Sequence, residues 1–343
     1  MKTKVAINGF GRIGRLFFRL AFGNKDFEIV AINDLGDSAN LAHLLQYDSV
    51  YGRYEKEVKV RQGSLVIGGK RVKFLQEKDP TKLPWKKLKV NLVVEATGAF
   101  ESYEKAKVHL AAGAKRVVIT APAKDADSNA VAGGGKTVLM GVNEREMRGV
   151  VITSNGSCTT NPASTVIAVM AQSPGIKKAI LNTVHGYTAT QSLVDGPTKG
   201  KDFRRGRAAA VNIVPSTTGA AIAVTRAFRP LSGKFDGIAM RVPVVSGSVA
   251  DITFVAKRKT SVEEVNSIFR KAAKSPKWKG ILAVTDDQLV SSDIVGEPYG
   301  AIVDLSFTKV VDHDLVKVLA WYDNEYGYAA MLVKHVSRAV ALR

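Results

Sequence analysis

A lone cysteine is the first residue of this sequence that could do chemistry. Cys158 is the only cysteine in 343 residues, and it lies in the segment SNGSCTTN, residues 154–161. Its neighbours are short hydroxyl and amide side chains, whereas a buried structural cysteine behaves as a small apolar residue. An apolar run with helical character follows, and the start of a helix favours a thiolate through its free N–H groups and its dipole. The surroundings therefore indicate a nucleophilic thiol.

A thiol nucleophile needs a base, and His185 is the candidate. It ends the predicted strand KKAILNTVHGYT, and a strand that returns from the helix can bring it beside Cys158. Only one of the four other histidines, His43, lies near a polar motif, in the N-terminal part. The alternative for His185 is a buried structural role. We predict a Cys158–His185 pair, and we expect the pKa of the thiol to lie below the about 8.5 of a free cysteine.

The N-terminal segment KVAINGFGRIGR combines a strand, a glycine turn and a helix start. Gly9, Gly11 and Gly14 form G-x-G-x-x-G, and Asp34 ends the next predicted strand, FEIVAIND. In this context the glycines predict a dinucleotide site: a tight turn, close approach of the pyrophosphate and tight packing of the helix. Asp34 would bind the ribose hydroxyls and repel a 2′-phosphate, which favours NAD over NADP. The alternative is a glycine-rich turn in an ordinary α/β unit.

The order of the predicted elements indicates two kinds of domain. Apolar strands alternate with helices up to about residue 153, which predicts an α/β fold with a Rossmann doubly wound parallel sheet. We assign residues 1–153 to an NAD-binding domain and residues 154–322, richer in strands, to an α+β catalytic domain. Residues 323–343 should form a C-terminal helix that packs back on the NAD-binding domain.

Three features of the second domain carry more specific expectations. The segment FDGIAMRVPVVSGSVADITFVAKR is interpreted as two neighbouring strands joined at SGS. Residues 189–212 are polar and basic, and such a long loop inside a domain is usually functional. Ser261 and Glu264 have the spacing of a helix N-terminus.

Composition limits the classes of function. The chain is 45% hydrophobic and 24% charged, and it has no apolar run of the roughly 18 residues that a membrane helix needs. We found no signal segment, and one cysteine gives neither an internal disulfide nor a cysteine-based metal site, so we expect a cytoplasmic protein without a metal. The net charge of +19 indicates either a nucleic-acid surface or a solvated surface that attracts small anions. No aromatic pattern accompanies the basic residues, which favours the second.

A set of motifs in order along the whole chain resembles one family. The motifs are INGFGRIGR, IND, HLLQYDSVYG, ATG, SNGSCTTN, HGYT, FRRGRAAAVNIVPSTTGAA and WYDNEYGY. They are similar to those of the phosphorylating glyceraldehyde-3-phosphate dehydrogenases of bacteria and eukaryotes. The resemblance implies that Cys158 attacks the aldehyde of glyceraldehyde 3-phosphate while His185 takes the proton. NAD then receives a hydride, and inorganic phosphate releases 1,3-bisphosphoglycerate from the thioester.

The resemblance also implies a set of binding residues. The cofactor contacts, besides the glycines, would be Arg12, Ile13, Asp34, Lys78, Thr97, Thr120, Asn324 and Tyr328. The substrate phosphate would be held by Thr188 and Arg241, with Arg204 shared between the two anion sites. The attacking phosphate would be held by Ser157, Thr159, Thr218 and Gly219. Residues 189–212 correspond to the family's S-shaped loop, which reaches the neighbouring subunit in a homotetramer.

The sequence departs from the family pattern at several positions. Gly156 and Pro162 replace an alanine and a second cysteine, Gly186 stands where serine or alanine is common, and Lys78 stands where arginine is usual. The glycine-rich segment 124–136 has no assigned function. Two alternatives stay open: an erythrose-4-phosphate dehydrogenase, which releases its thioester with water, and a basic nucleic-acid-binding protein with a vestigial site.

Overall fold

Two compact units make up the chain. The computed structural model describes residues 2–128, 134–198 and 201–342. Unit 1 comprises Met1–Met140, Glu144–Gly156 and Leu332–Arg343, and unit 2 comprises Gly141–Asn143 and Ser157–Met331. Part of the unassigned glycine-rich segment 124–136, residues 129–133, lies outside the described residues.

Unit 1 is an α/β unit whose strands alternate with helices. Its strands are β1 Thr3–Asn8, β2 Phe27–Asn33, β3 Tyr47–Asp48, β4 Gly52–Arg53, β5 Val58–Arg61, β6 Ser64–Ile67, β7 Lys70–Leu75, β8 Leu92–Glu95, β9 Arg116–Ile119, β10 Gly135–Thr137 and β11 Ile152–Ser154. Its helices are α1 Arg12–Ala21, α2 Ser38–Gln46, α3 Trp85–Leu88 and α4 Tyr103–Ala111. Side chains start two of these helices, since Asp37 accepts a hydrogen bond from Asn40 N and Ser102 accepts one from Lys105 N.

The main sheet of unit 1 confirms the predicted Rossmann fold. Its order is β10-β11-β9-β8-β1-β2-β7-β6-β5, and the strands from β10 to β7 are parallel. The chain runs from β1 to β2 on one side and later returns to β8 on the other side of β1. In a doubly wound sheet, ligands bind outside the carboxyl ends of the strands at such a switch point.

Both faces of this sheet are covered, which explains why its strands are almost continuously apolar. Val5 and Ile7 of β1 pack into one core cluster with Phe17 and Phe18 of α1, whereas Ala6 packs into a second cluster with Trp85. The first cluster also contains three residues from the C-terminal helix, Leu332, Val336 and Ala339.

Unit 2 is a mixed sheet with helices, an α+β arrangement. Its strands are β12 Ile176–Gly186, β13 Val214–Thr217, β14 Phe235–Val242, β15 Ser248–Ala256, β16 Leu282–Thr285, β17 Ala301–Val311 and β18 Leu315–Tyr322. Its helices are α5 Thr160–Met170, α6 Ala220–Ala227 and α7 Val262–Lys274, and α8 Tyr326–Ala341 begins in unit 2 and ends in unit 1. Short 3-10 helices in the described parts of both units are Pro80–Lys82, Glu144–Met147, Phe203–Gly206, Ala209–Val211, Arg229–Leu231, Pro276–Trp278 and Ser291–Ile294.

One topological prediction is wrong. The sheet order of unit 2 is β13-β14-β12-β15-β18-β17-β16, so β12 lies between β14 and β15, which we had expected to be neighbours. Strands separated by one strand lie about 10 Å apart, and a link of a few residues can span that distance. Strand β12 pairs in parallel with β14 and antiparallel with β15.

The helix that follows Cys158 is the most deeply buried helix of unit 2. Every residue of α5, from Thr160 to Met170, is buried. Pro162 is its third residue, and a backbone N–H at this position would have no acceptor within the helix. The N–H that proline lacks therefore costs no hydrogen bond, and this departure from the family pattern is tolerated. The Ser261 cap of α7 is confirmed, because its hydroxyl accepts a hydrogen bond from Glu264 N at 3.3 Å. Among the described helices, none is both long and apolar enough to cross a bilayer.

Candidate active site

Local structure around Cys158 places its thiol at the start of α5. Gly156 has a φ of +64°, a left-handed conformation that glycine adopts without strain. The Ser157 hydroxyl then accepts a hydrogen bond from Thr160 N at 3.1 Å, while Ser157 N donates to Thr160 Oγ1 at 3.0 Å. This reciprocal pair fixes the first turn of the helix. The chain thereby presents Cys158, which is partly exposed, next to backbone N–H groups that the helix does not use.

Two strands bring His185 and Arg241 to the thiol. His185 is near the end of β12, and the parallel register of β12 and β14 pairs it with Arg241. His185 Nε2 lies 3.2 Å from Cys158 Sγ, within reach of proton transfer. On the other side of the ring, Nδ1 lies 2.6 Å from the Gly186 carbonyl oxygen and 2.6 Å from Arg241 Nη1. Arg241 also donates to the same carbonyl at 3.2 Å.

The ionisation of this pair differs from our expectation. Burial raises the pKa of the Cys158 thiol above its ordinary value, although Arg241 and the hydroxyl and N–H of Thr159 favour the thiolate. The expected depression of the thiol pKa is therefore wrong for the unliganded site, because the loss of water outweighs these favourable charges and dipoles. Burial, with help from the Arg241 charge, lowers the pKa of His185 to about 3. The resting pair at neutral pH is a neutral thiol beside a neutral imidazole.

Tyr322, which was not among the predicted site residues, contacts side chains near both members of the catalytic pair. Its hydroxyl lies 2.8 Å from Thr159 Oγ1 and 2.8 Å from Thr183 Oγ1, and its ring meets the His185 ring edge-on with centroids 5.9 Å apart. The tyrosine is almost fully buried at the end of β18. It belongs to the motif WYDNEYGY, so the signal was present, although nothing in the sequence distinguished it from the other aromatics.

The two adjacent loop arginines, Arg204 and Arg205, have different surroundings. Arg204 is exposed and forms an ion pair with Asp202, with Nε 2.7 Å from Oδ1. Its neighbour Arg205 is half-buried and donates to Ser216 Oγ at 2.8 Å. The charge of Arg205 also lowers the pKa of Arg241, although burial of Arg241 is the larger cause. The charge of Arg205 thus acts on Arg241, whereas Arg204 is paired with Asp202.

Other predicted anion ligands lie at element ends in unit 2. Thr188 follows β12, and its hydroxyl lies 2.9 Å from that of Thr190. Thr218 accepts a hydrogen bond from Ala220 N at 3.2 Å, and Gly219 is the N-cap of α6. The structure provides no direct contact between these three residues and the Cys158–His185 pair.

Two predicted cofactor residues also belong to unit 2. Asn324 is almost buried, and its Oδ1 accepts a hydrogen bond from Ser248 Oγ at 2.8 Å. This bond fixes which way the amide points, with Oδ1 and not Nδ2 toward Ser248. Tyr328 is almost fully buried in the first turns of α8.

A cavity of about 500 Å³ opens in unit 1 at the switch point of the sheet. Its lining residues include Asn8, Gly9, Gly11, Asn33, Asp34, Leu35, Glu77, Lys78, Pro80, Ala96, Thr97, Ala99 and Phe100. Gly9 has a φ of +96°, and a Cβ there would lie 2.5 Å from the Ala96 carbonyl carbon. A Cβ on Gly14 would lie 2.1 Å from the Gly9 carbonyl oxygen. Both glycines are therefore required for the turn and for the close packing of α1.

The remaining predicted cofactor residues surround or adjoin this cavity. Asp34 accepts hydrogen bonds from Phe10 N at 2.6 Å and Gly36 N at 2.8 Å, which hold its carboxylate at the cavity wall. Arg12 forms an ion pair with Asp48 at 2.6 Å, and Ile13 packs against the core. Thr120 donates to the Glu95 carbonyl at 3.1 Å. The glycine turn, the acidic strand end and the open cavity fit a dinucleotide at the carboxyl ends of β1 and β8.

This combination of a Rossmann fold with an adenosine-side carboxylate and a thiol–imidazole pair is typical of NAD-dependent dehydrogenases. A family model described as "Glyceraldehyde 3-phosphate dehydrogenase, NAD binding domain" matches residues 3–103, and one for the C-terminal domain of the same enzyme matches residues 157–324. The chain belongs to the glyceraldehyde-3-phosphate dehydrogenase family.

Curated relatives match the chain over nearly its whole length. It is 48% identical over 334 residues to the glyceraldehyde-3-phosphate dehydrogenase of Thermotoga maritima, covering 96% of this chain and 97% of the relative. It is 47% identical to that of Streptomyces coelicolor and 46% identical to that of Clostridium pasteurianum, with 97% of each chain covered in both cases.

Proposed function

We propose that this protein is an NAD-dependent oxidoreductase that converts glyceraldehyde 3-phosphate and inorganic phosphate to 1,3-bisphosphoglycerate. The observation that carries this conclusion is the 3.2 Å contact of Cys158 Sγ with His185 Nε2 beside the Arg241 guanidinium. A thiol, a base and a cation converge on one point, which suits attack on the aldehyde of a phosphorylated substrate. The relatives' activity supports the choice of substrate.

Two residues carry the first chemical step in this proposal. The neutral imidazole of His185 accepts the thiol proton as Cys158 attacks the aldehyde carbon. This role requires the tautomer in which Nδ1–H donates to the Gly186 carbonyl, 2.6 Å away. Arg241 Nη1, which can only donate, then directs its N–H to the same carbonyl at 3.2 Å and not to Nδ1, and Nε2 is free to accept. A base whose pKa is lowered to about 3 is unprotonated throughout the neutral range. The acyl group is then held on Cys158 as a thioester until phosphate attacks it.

NAD accepts the hydride when it is bound, and we assign residues to it in each unit separately. In unit 1, the turn at Gly9, Gly11 and Gly14 and the N–H groups at the start of α1 suit the pyrophosphate. The Asp34 carboxylate suits the adenosine ribose, and Leu35 follows it instead of a cation, which favours NAD over NADP. In unit 2, Asn324 Nδ2 is the group available to orient the nicotinamide amide. We assign residues 1–153 and 154–322 accordingly to cofactor binding and to catalysis, with the helix in 323–343 completing the fold.

Two phosphate groups need cationic and hydroxyl partners. We assign Arg241 and Thr188 to the substrate phosphate and Ser157, Thr159, Thr218 and Gly219 to the attacking phosphate. In place of Arg204, we assign Arg205 as the arginine shared between these groups. The support is the half-buried position of Arg205 and its hydrogen bond to Ser216, whereas Arg204 is already paired with Asp202.

We further propose a homotetramer. Five large apolar side chains of the loop region are at least 70% exposed in the isolated chain: Leu193, Val194, Phe203, Val211 and Ile213. Large apolar side chains exposed within one segment of the chain are typical of protein interfaces. We also infer a cytoplasmic location, because a thiol nucleophile needs a compartment in which it stays reduced.

The proposal is tested by NADH formation from two aldehydes, each with and without inorganic phosphate. We expect sustained turnover of glyceraldehyde 3-phosphate only when phosphate is present, and a much lower kcat/KM for erythrose 4-phosphate. Equal rates with and without phosphate on erythrose 4-phosphate would instead identify the hydrolytic alternative.

A further inference from the structure

We propose that Glu95 is a positioning residue for the NAD cavity. Its buried carboxylate accepts hydrogen bonds from the end of β1, from the segment that follows β8 and from α4, and the end of β2 is linked to it through Asn8. The inference rests on the proposed function, since it takes the cavity of unit 1 as the NAD site. Glu95 ends β8 directly below that cavity and is only 2% exposed. Sequence reasoning assigned it no role.

Four donors surround the Glu95 carboxylate. Oε2 accepts from Asn8 Nδ2 at 2.7 Å and from His109 Nε2 at 2.8 Å. Oε1 accepts from Thr97 N at 2.8 Å and from the Thr97 hydroxyl. Both oxygens therefore act as acceptors only, which is the behaviour of a carboxylate and not of a carboxylic acid or an amide. Such charge-assisted bonds are stronger than bonds between neutral groups.

The tautomer of His109 is determined by Trp85, whose indole N–H can donate a hydrogen bond but cannot accept one. Trp85 Nε1 donates to His109 Nδ1 at 3.2 Å, and an indole N–H has no lone pair to offer. His109 Nδ1 must therefore be unprotonated, and the ring carries its hydrogen on Nε2, where it donates to Glu95. His109 is completely buried, and its ring also meets Phe100, a residue of the cavity wall, with centroids 6.0 Å apart.

The hydrogen bonds through His109 and Trp85 form one arm of this network. A second arm runs from Glu95 across the sheet beneath the cavity. Asn8, at the end of β1, accepts at its Oδ1 from Asn33 Nδ2, at the end of β2, over 2.8 Å. Asn33 Oδ1 accepts in turn from Glu77 N at 2.9 Å, and its Nδ2 also donates to the Glu77 carbonyl at 3.0 Å. These bonds determine the orientation of both amides. Every bond between the side chains of this arm is directed toward Glu95.

The two arms join the parts of the cavity that must not move relative to one another. Asn8, Asn33, Glu77, Thr97 and Phe100 all line the cavity or adjoin it, and they come from four separate segments of the chain. A ligand that bridges the carboxyl ends of β1, β2 and β8 binds best when these ends are already fixed, because ordering them on binding costs affinity. Glu95 thus acts through Thr97 and Asn8 and does not itself need to touch NAD.

The test is Glu95→Gln, which keeps the size of the side chain but turns one acceptor into a donor. The NH2 group of the amide would face the donors of Thr97 or those of Asn8 and His109, and no hydrogen bond forms between two donors. We therefore expect the Kd for NAD, measured by calorimetry on the full protein, to rise about tenfold. We expect kcat at saturating NAD and KM for glyceraldehyde 3-phosphate to stay within about twofold. Glu104→Gln, which removes an exposed carboxylate paired with Lys107, is the matched control and should leave the Kd unchanged.

A second measurement does not depend on that variant folding. Nitrogen NMR of the five histidines, with His109 assigned through a His109→Gln variant, should give the Nε2–H tautomer, and Trp85→Phe should weaken this preference and raise the Kd for NAD. A proton on Nδ1 in the unchanged protein, or a folded Glu95→Gln with an unchanged Kd, overturns the inference. If Glu95→Gln does not fold, an unchanged Kd in Trp85→Phe overturns it. Failure of the unchanged protein to bind NAD would count against the proposed function instead.

Discussion

At the scale of single residues, the thiol is controlled by opposing effects. Burial raises the pKa of Cys158, whereas the Arg241 charge and the Thr159 donors lower it. Because burial is the largest effect, the unliganded site favours the protonated thiol, and in the proposed mechanism the imidazole takes this proton as the thiol attacks the aldehyde. The reaction therefore depends on the 3.2 Å separation of Cys158 and His185 more than on a preformed thiolate.

Alkylation by iodoacetamide measures this balance directly. The rate follows the fraction of Cys158 that is thiolate. For the unliganded protein the rate should therefore keep rising as the pH passes about 8.5, the pKa of a free cysteine. Arg241→Ala removes a charge that favours the thiolate, so the midpoint should move to still higher pH, whereas Arg241→Lys should retain most of the effect. Arg204→Ala, at an exposed arginine, is the control. A midpoint that moves to lower pH in Arg241→Ala would contradict this account.

Replacement of the base tests the second member of the pair. His185→Asn should slow acylation by about 10²–10⁴-fold, the usual contribution of a general base, with little change in NAD binding. Since the pKa of His185 is lowered to about 3, the unchanged enzyme should lose no activity through this histidine between pH 8 and pH 5. Stopped-flow measurement of the first turnover checks both points. An inflection near pH 6.5 that disappears in His185→Asn would show that the imidazole has an ordinary pKa.

At the scale of elements, strand pairing places the reactive groups. The parallel register of β12 and β14 sets His185 opposite Arg241, and the start of α5 supplies Cys158. The short helix Phe203–Gly206 divides two adjacent arginines: Arg204 is exposed with Asp202, and Arg205 reaches Ser216. Adjacent residues thus have different surroundings, because the short helix directs them to different partners.

The two loop arginines give a matched pair of variants. Arg205→Ala should raise KM for glyceraldehyde 3-phosphate and for inorganic phosphate by about tenfold or more, because a half-buried cation next to Arg241 is removed. Arg204→Ala removes an exposed pair with Asp202 and should change each KM by less than about twofold. Steady-state kinetics with each substrate varied in turn decide the question. The reverse order of effects would restore Arg204 to the site.

The sequence predicts those parts of the site that depend on local pattern. A strand, a glycine turn and a helix predict the Rossmann fold, and an isolated cysteine among polar residues indicates the nucleophile. The insertion of β12 between β14 and β15 was not predictable, because apolar alternation identifies strands but not their partners. Neither was the raised pKa of Cys158, which depends on how much water the folded site excludes, nor the choice between Arg204 and Arg205.

At the scale of the whole molecule, the chain leaves apolar surface without a partner. Leu193, Val194, Phe203, Val211 and Ile213 lie in the same segment of the chain as Arg205, so the proposed assembly and the proposed phosphate contact would share one segment. An interface that covers these side chains would also hold the loop in place. The net charge of +19 keeps the remaining surface well solvated and attracts anionic substrates.

The mass of the protein in solution tests the proposed tetramer. Light scattering at micromolar concentration should give about four times the 36.9 kDa mass of the chain. Phe203→Asp, which puts a charge on an exposed apolar loop residue, should shift the mass toward smaller species. Phe307→Asp, which changes an exposed residue outside the loop in the same way, is the control. A stable monomer with full activity would contradict the proposed tetramer.

The central claim is that the reaction passes through an acyl group on Cys158, and mass spectrometry of the intact protein tests it most directly. With NAD and glyceraldehyde 3-phosphate but limiting inorganic phosphate, we predict one acyl adduct per chain, located on the peptide that contains Cys158. Addition of phosphate should remove the adduct within one turnover, and Cys158→Ser should never form it. An adduct on another residue, or sustained turnover by an enzyme whose only cysteine has been fully alkylated, would contradict the account.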